Sequence, residues 1–586
     1  MADYGEKHEY EEDPVAHPHH QSGGLTENEQ FGEVKRDLKS RHLQMIAIGG
    51  TIGTGIFLSS GGSVAGAGPL GALISYTIVG ASTAPCYQSL TNASCFGYFC
   101  ACVQKSKCLT QQPYLSLGTM VFFIVTSLGE MASYLPLPGA FSTFGARFVD
   151  PALGFGLGIG YAFQWIITVT IEVTAAGMIL QYWWPNLQMW IPALIFIVIL
   201  VGITLLGVKA FGELEYWFAL IKVLTCVIFI IVGILVDVGA VGGEFIGGKN
   251  WHIEGAPIVG DTARDKTVNI FTTCVWAFFS FGGTELVGIT AGESANPGKA
   301  VPRAIRHTFW RILLFYILTI MVIGLVLPWT DQSLLDSTFA DVNQAAPIAP
   351  FTTIFKMAKL PGADHAINAV LLTAVLSAGQ SAFYASTRTL MAMGREGKMP
   401  AIFGRVNSRG VPLYSLAVVT LIASIAFVAD IVGSGVVFKW LVNLTGMSAL
   451  LTWLSISIIH LRFRAAFKAQ GRSIKDLPYV APFFPYSCYL SILLALMILF
   501  LQGYQAVTAD PFSVEGVVAV FVGAPVFFLS ILIWKVYHKT KIVPLLEVDL
   551  DSGRPTIVQG ISHHVEVKGE EEEKLPVWKK ILRFVA

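Results

Sequence analysis

The stretch MIAIGGTIGTGIF, Met45 to Phe57, opens like a membrane span, yet residues 49–55 are all glycine or threonine except Ile52. Glycine lowers the cost of leaving helical geometry. Inside a bilayer, unwound backbone is tolerated only where it lines a cavity or is buried in protein. A helix that breaks here presents free N–H groups at the start of its second half, where the helix dipole also favours negative charge. The guest that suits such a break is a carboxylate.

Working outward, a matching interruption lies at Phe278 to Thr290, FFSFGGTELVGIT, which repeats the Gly-Gly-Thr and adds an acid, Glu285. Interrupted segments at corresponding places in two halves of a chain are the best sequence pointer to a transporter's binding site. The competing explanation is close helix packing, for which membrane helices also use glycine.

The 586 residues are 54% hydrophobic and 13% charged, with mean hydropathy +0.61 and formal net charge +0. Soluble domains carry roughly 25% charged residues, so the solvent for this surface is lipid. The charge balance points to no nucleic-acid partner and no polybasic surface binding. Apolar cores lie near 43–60, 119–136, 153–181, 190–207, 216–239, 268–290, 309–329, 364–388, 412–433, 438–460, 485–507 and 514–537. Each suits the ~20 residues of a span, about twelve in all.

Lys and Arg gather on alternate loops: Lys35, Arg36, Lys39 and Arg41 before the first span, then after the sixth, eighth and tenth. The positive-inside rule puts both termini in the cytoplasm. Residues 1–42, without the apolar core of a signal peptide, read as a disordered cytoplasmic tail. Its His17, His19 and His20 read as solvated rather than metal-binding. Residues 538–586 form the C-terminal tail and 43–537 the membrane domain.

The segments RHLQMIAIGGTIGTGIFL, SLGEMASYLP, FGGTELVGITAGESANPGKAVPRAI and YASTRTLMAMGREGKMP resemble the fungal amino acid permeases of the amino acid–polyamine–organocation superfamily. The similarity runs from about Leu38 to Leu550, apart from one block. It implies an all-α leucine-transporter-type fold: two inverted five-helix repeats plus two helices, with helices 1 and 6 broken. It also implies proton-coupled uptake of amino acids at the plasma membrane, with no enzymatic activity and no cofactor.

With the dipole argument, the resemblance assigns the substrate's α-carboxylate to Gly50, Thr51, Gly53, Thr54 and Gly55. It assigns the α-ammonium to backbone around Ser280, Phe281, Gly282, Gly283 and Thr284. Phe281 reads as a gate or side-chain wall, or else as a packing aromatic. Many relatives carry asparagine where this chain has Gln380, whereas Tyr384 and Ser386 keep the pattern.

Charged groups within spans are costly and point to function. Lys222, with no neighbouring acid on its own span, matches the span in which some bacterial relatives carry a proton-handling lysine. The alternative is snorkelling to the interface. Glu172 and Glu285 suit pairing with Lys222, taking the coupled proton or facing a cationic substrate. Glu130 reads as a gate or packing residue, and Glu293, with Asn296, as a cytosolic gate or a solvated turn.

Residues 81–118 interrupt the second span and hold five of the eight cysteines. Removing them joins Leu70–Gly80 to Thr119–Leu128 as LGALISYTIVGTMVFFIVTSL, a span of normal length. Three readings stand: a disulfide-stapled extracellular insertion glycosylated at Asn92, a metal site at Cys95, Cys100, Cys102 and Cys108 whose spacing matches no strong zinc pattern, and an in-frame translated intron. The intron accounts best for a break inside a helix rather than at a loop tip. If the block is retained, Tyr114–Leu135 has the length to span alone, with Leu70–Gly80 displaced from the bundle and transport impaired.

The leading function is therefore an amino acid symporter, with cationic side chains favoured by the GTELVGITAGE segment. The alternatives are a non-transporting amino acid sensor, against which the short N-terminal tail argues, and a splice-defective inactive isoform. Sodium coupling through freed carbonyls stays open beside protons. So does ubiquitin-dependent endocytosis machinery as a partner of the tails.

Overall fold

The computed structural model describes residues 45–46, 49–80, 120–137, 139–291, 297–339, 349–508, 512, 514–552 and 554. Expectations for the N-terminal tail, Asn92 and the block around it, Glu293, Asn296 and the end of the C-terminal tail lie outside them. Among the described residues every regular element is helical. Eight helices are long and apolar enough to cross a membrane, and four more are apolar but shorter.

The first span runs from Met45 through α1 (Thr54–Phe57) into α2 (Ser59–Gly80). The second is completed by α3 (Met120–Tyr134). Then come α4 (Ala140–Phe148), α5 (Pro151–Gln181), α6 (Trp190–Leu205) and α7 (Val208–Asp237). The broken sixth span is α8 (Ala263–Phe281) and α9 (Leu286–Thr290), followed by α10 (Pro297–Val326) and α11 (Ala363–Arg395). The remainder are α12 (Leu413–Ala423), α13 (Ser434–Ala469), α14 (Tyr486–Thr508) and α15 (Gly523–His538).

Local chemistry sets the helix starts. Asp150 caps α5 by accepting from the Ala152 amide at 2.9 Å, and Pro151 supplies a pre-set φ at the first helical position. A capping box of Thr262 and Asp265 opens α8. α5 sits at the centre of the bundle, packed on α11, α13 and α15. The outer helices α6, α7, α12 and α15 instead expose Ile195, Val198, Leu224, Leu421 and Leu532, as spans that face lipid do.

α2 is two helices in one. At Gly68 the backbone turns through φ 78° and ψ 171°, and a Cβ there would lie 2.7 Å from the Pro257 carbonyl. Beyond it, residues 69–80 fold back as the first half of the second span, and α3 continues it. Both halves pack on α10: a Cβ on Gly324 would meet Pro69, and one on Gly129 would meet Ile305. Gly324 and Ile305 are 19 residues apart, about 28 Å of helix, and residues 69–80 and 120–129 together supply about 33 Å. The two halves thus occupy one span antiparallel to α10.

Displacement of Leu70–Gly80 does not occur. Tyr76 is fully buried, Ser75 donates to the Ile270 carbonyl at 2.6 Å and the Leu70 amide to that of Pro257 at 3.0 Å. Contacts with α8 hold the segment in place once Gly68 has turned the chain. At the opposite end, residues 540–551 lie across the ends of α5 and α13. The Val543 amide donates to the Val149 carbonyl, and Arg472 pairs with Asp551 through both guanidinium nitrogens.

Candidate substrate cavity and coupling site

The two breaks cross in direct backbone contact. A Cβ on Gly55 would lie 2.4 Å from the Ser280 Cα. Gly283 has φ +100°, a region that favours glycine, and a Cβ there would meet the Gly50 carbonyl at 2.5 Å. Glycine therefore serves both explanations raised by the sequence, because the helices come apart where they also touch. Tyr316 of α10 clamps the crossing: its hydroxyl lies 2.7 Å from the carbonyls of both Thr51 and Ser280, one from each break.

Beside the crossing is a cavity lined by Gly50, Thr51, Gly53, Thr54 and Gly55 from the first span and Phe278, Phe279 and Gly282 from the sixth. Gln164, Trp165, Thr168 and Glu172 of α5, Ala378 of α11, and Thr445 and Ala449 of α13 complete it. The remaining residues assigned to the ammonium side do not line it. Phe281 packs edge-on against Tyr316 at 4.6 Å and beside Tyr76. Helical rotation turns Phe278 and Phe279 inward instead. Ser280 bonds Tyr76, Thr284 donates to the Phe281 carbonyl, and Gly283 abuts Gly50.

Two buried acceptors in this lining have no donor. Glu172 takes a hydrogen bond from Thr54 on Oε1 at 2.8 Å and leaves Oε2 unpaired, and the Gln164 Oε1 is also unpaired. Sequence reasoning found Glu172 but missed Gln164 and Thr168. The signal was present: 164, 168 and 172 are spaced four apart, one face of a helix.

Lys222 stands behind the first break, not in the cavity. Its side chain is fully buried, which rules out snorkelling, and its Nζ donates to the Gly49 carbonyl at 2.5 Å. The expected absence of a neighbouring acid on its span is corrected by α7, which begins eight residues before the apolar core does. Glu215 lies two turns earlier on the same helix, its carboxylate 3.8 Å from Nζ, and it accepts from Ser377 of α11 at 2.8 Å.

The other intramembrane acids are held in the framework. Glu285 accepts from the amide of Gly283 at 3.2 Å and faces Tyr161, so it caps its own break and does not line the cavity. Glu130 is saturated by His460 at 3.0 Å, Arg464 at 2.8 Å and the Ala481 amide at 2.6 Å, which ties α3 to α13 and the segment after it. Gln380 donates to Thr204 at 2.9 Å, and Tyr384 stacks on Phe211. No group of three or more metal-ligating side chains occurs among the described residues.

Crossed, interrupted helices around a midspan cavity define a secondary carrier of small solutes. Residues 42–99 and 113–547 match the family described as amino acid permease, and the chain belongs to that family. It is 40% identical over 509 residues to the lysine-specific permease LysP of Escherichia coli, covering 87% of this chain and 94% of that one. It is 40% identical over 529 residues to the histidine permease HisP of Lactococcus lactis, covering 89% and 99%. With the general amino-acid permease GAP1 of Saccharomyces cerevisiae the identity is 36% over 528 residues, covering 89% and 80%. Amino acid transport is thus the family's activity.

Proposed function

We propose that this permease is a proton-coupled symporter that imports amino acids with cationic side chains across the plasma membrane, with both termini in the cytoplasm. The observation that carries proton coupling is the Lys222 Nζ seated on the Gly49 carbonyl. A carbonyl freed near a break is where a coupling cation binds in carriers of this design, and here a side-chain ammonium takes that place. Gaining and losing one proton at Lys222 strengthens and weakens its hold on the first span, which biases its position.

Cationic selectivity rests on Glu172 Oε2 and Gln164 Oε1, buried acceptors that a lysine or arginine head would satisfy. An apolar side chain would leave them unpaired, a cost of about 1–3 kcal/mol for each. The lysine-specific permeases of E. coli and S. cerevisiae among its relatives support the same substrate class. The α-carboxylate then faces Gly53 to Gly55 and the α-ammonium the carbonyls before Gly282. No bond is made or broken in the substrate, so the protein acts as a carrier without a catalytic step.

We further infer that residues 81–118 are absent from the working carrier. The support is the matched length of residues 69–80 plus 120–129 against α10. Sequencing the transcripts of actively transporting cells tests this: messages without the segment are expected, and their absence contradicts it. Labelled lysine uptake at pH 5 and pH 7, with and without sodium, tests the coupling. Stimulation by acid and indifference to sodium are expected; dependence on sodium contradicts it.

A further inference from the structure

The geometry points to Glu215 as the positioning residue of the coupling lysine, the fixed counter-ion that lets the proton on Lys222 act on the first span. This rests on the proton-coupled reading above. Three observations independent of sequence resemblance support it. Glu215 is buried to within 1% of full enclosure, and its carboxylate faces Lys222 at 3.8 Å. Both its oxygens lie 2.8 Å from the Ser377 hydroxyl, which anchors it to α11. Its Oε1 also presses on the backbone of the first span, so close that a Cβ on Gly49 would overlap it at 1.9 Å.

That last contact explains a glycine which the breaks do not. Gly49 is helical and outside the positive-φ region, so no conformational demand excludes alanine. What excludes a side chain is the Glu215 carboxylate. One buried acid thus touches all three elements of the coupling unit: the lysine of α7, the anchoring α11, and the first span.

A buried ammonium requires a partner charge, and removing either member leaves the other uncompensated. With Lys222 protonated, the pair is neutral and the ammonium bonds the Gly49 carbonyl. When Lys222 passes its proton to the cytosol, the amine loses that charge-assisted hold and the Glu215 carboxylate is left uncompensated, which draws a proton back to the pair. One proton is carried per cycle. The other ionisable groups facing Lys222 are Glu172 of α5 and Cys226 one turn onward on α7. Glu172 is committed to Thr54 and the cavity, which leaves Glu215 as the dedicated partner.

The test uses the full chain in proteoliposomes and measures lysine uptake driven by an acid-outside gradient alongside lysine counterflow without a gradient. The ratio of driven uptake to counterflow is the readout, because a merely structural defect lowers both together. E215Q is expected to lower the ratio at least tenfold, E215D to recover part of it, and G49A, which displaces the carboxylate without touching its chemistry, to reproduce E215Q. A ratio within twofold of the parent protein for E215Q overturns the inference, as does proportional loss of both activities. K222M separates the two levels. If it keeps the ratio, the underlying proton reading fails; if it loses the ratio while E215Q keeps it, only the role of Glu215 fails.

Discussion

At Gly55 one methyl group is enough to part the two breaks. Its Cβ would meet backbone, the Ser280 Cα at 2.4 Å, and backbone cannot swing aside as a side chain can. Such overpacking costs about 1–3 kcal/mol. G55A is therefore expected to reduce lysine uptake at least tenfold per molecule at the cell surface, as measured by uptake normalised to surface-biotinylated protein. At Glu172 the expectation concerns selectivity: E172Q should raise the KM for lysine tenfold or more and change that for leucine by less than threefold, read from competition uptake. The glycine breaks were legible because their signal is local, glycines and threonines crowded within a few consecutive residues. Glu215 was not, because hydropathy alone starts its span at residue 216. What buries it are Gly49 and Ser377, distant in the chain. Phe281 was ambiguous for a similar reason, since which face of α8 lines the cavity depends on the crossing with the first span.

Among the elements, the start of α5 offers a test of how the ends are tied. Burial raises the Asp150 carboxyl, but hydrogen bonds from Lys535, the Ala152 amide and Thr540 outweigh it and hold the carboxyl below its ordinary value of 3.8. A lowered acid contributes stability above the unfolded value and loses it as pH falls through the folded one. D150N should therefore melt below the parent protein at pH 5 to 7, with the difference shrinking as pH falls below 3.8, measured by thermal unfolding in detergent. A difference that does not shrink as pH falls below 3.8 would contradict the charge assignment. Span positions were largely readable from apolar runs. The two halves of the second span were legible once residues 81–118 were set aside, whereas the reversal at Gly68 that folds the first half back needed geometry.

On the scale of the whole molecule, the cavity, the crossed breaks and the buried lysine adjoin one another at the first span, so in the proposed mechanism a proton on α7 and a substrate on α5 both act through it. Residues 81–118 separate, in sequence, the two halves of the span packed on α10. A chain lacking 81–118 should therefore transport at least tenfold faster than the full chain at equal surface abundance. The measurement that bears most directly on the account is labelled lysine uptake by both chains at pH 5 and pH 7 in yeast cells without their own permeases. The account predicts uptake several-fold faster at pH 5, carried chiefly by the shortened chain. Uptake indifferent to pH, or none by either chain at normal surface abundance, would contradict it.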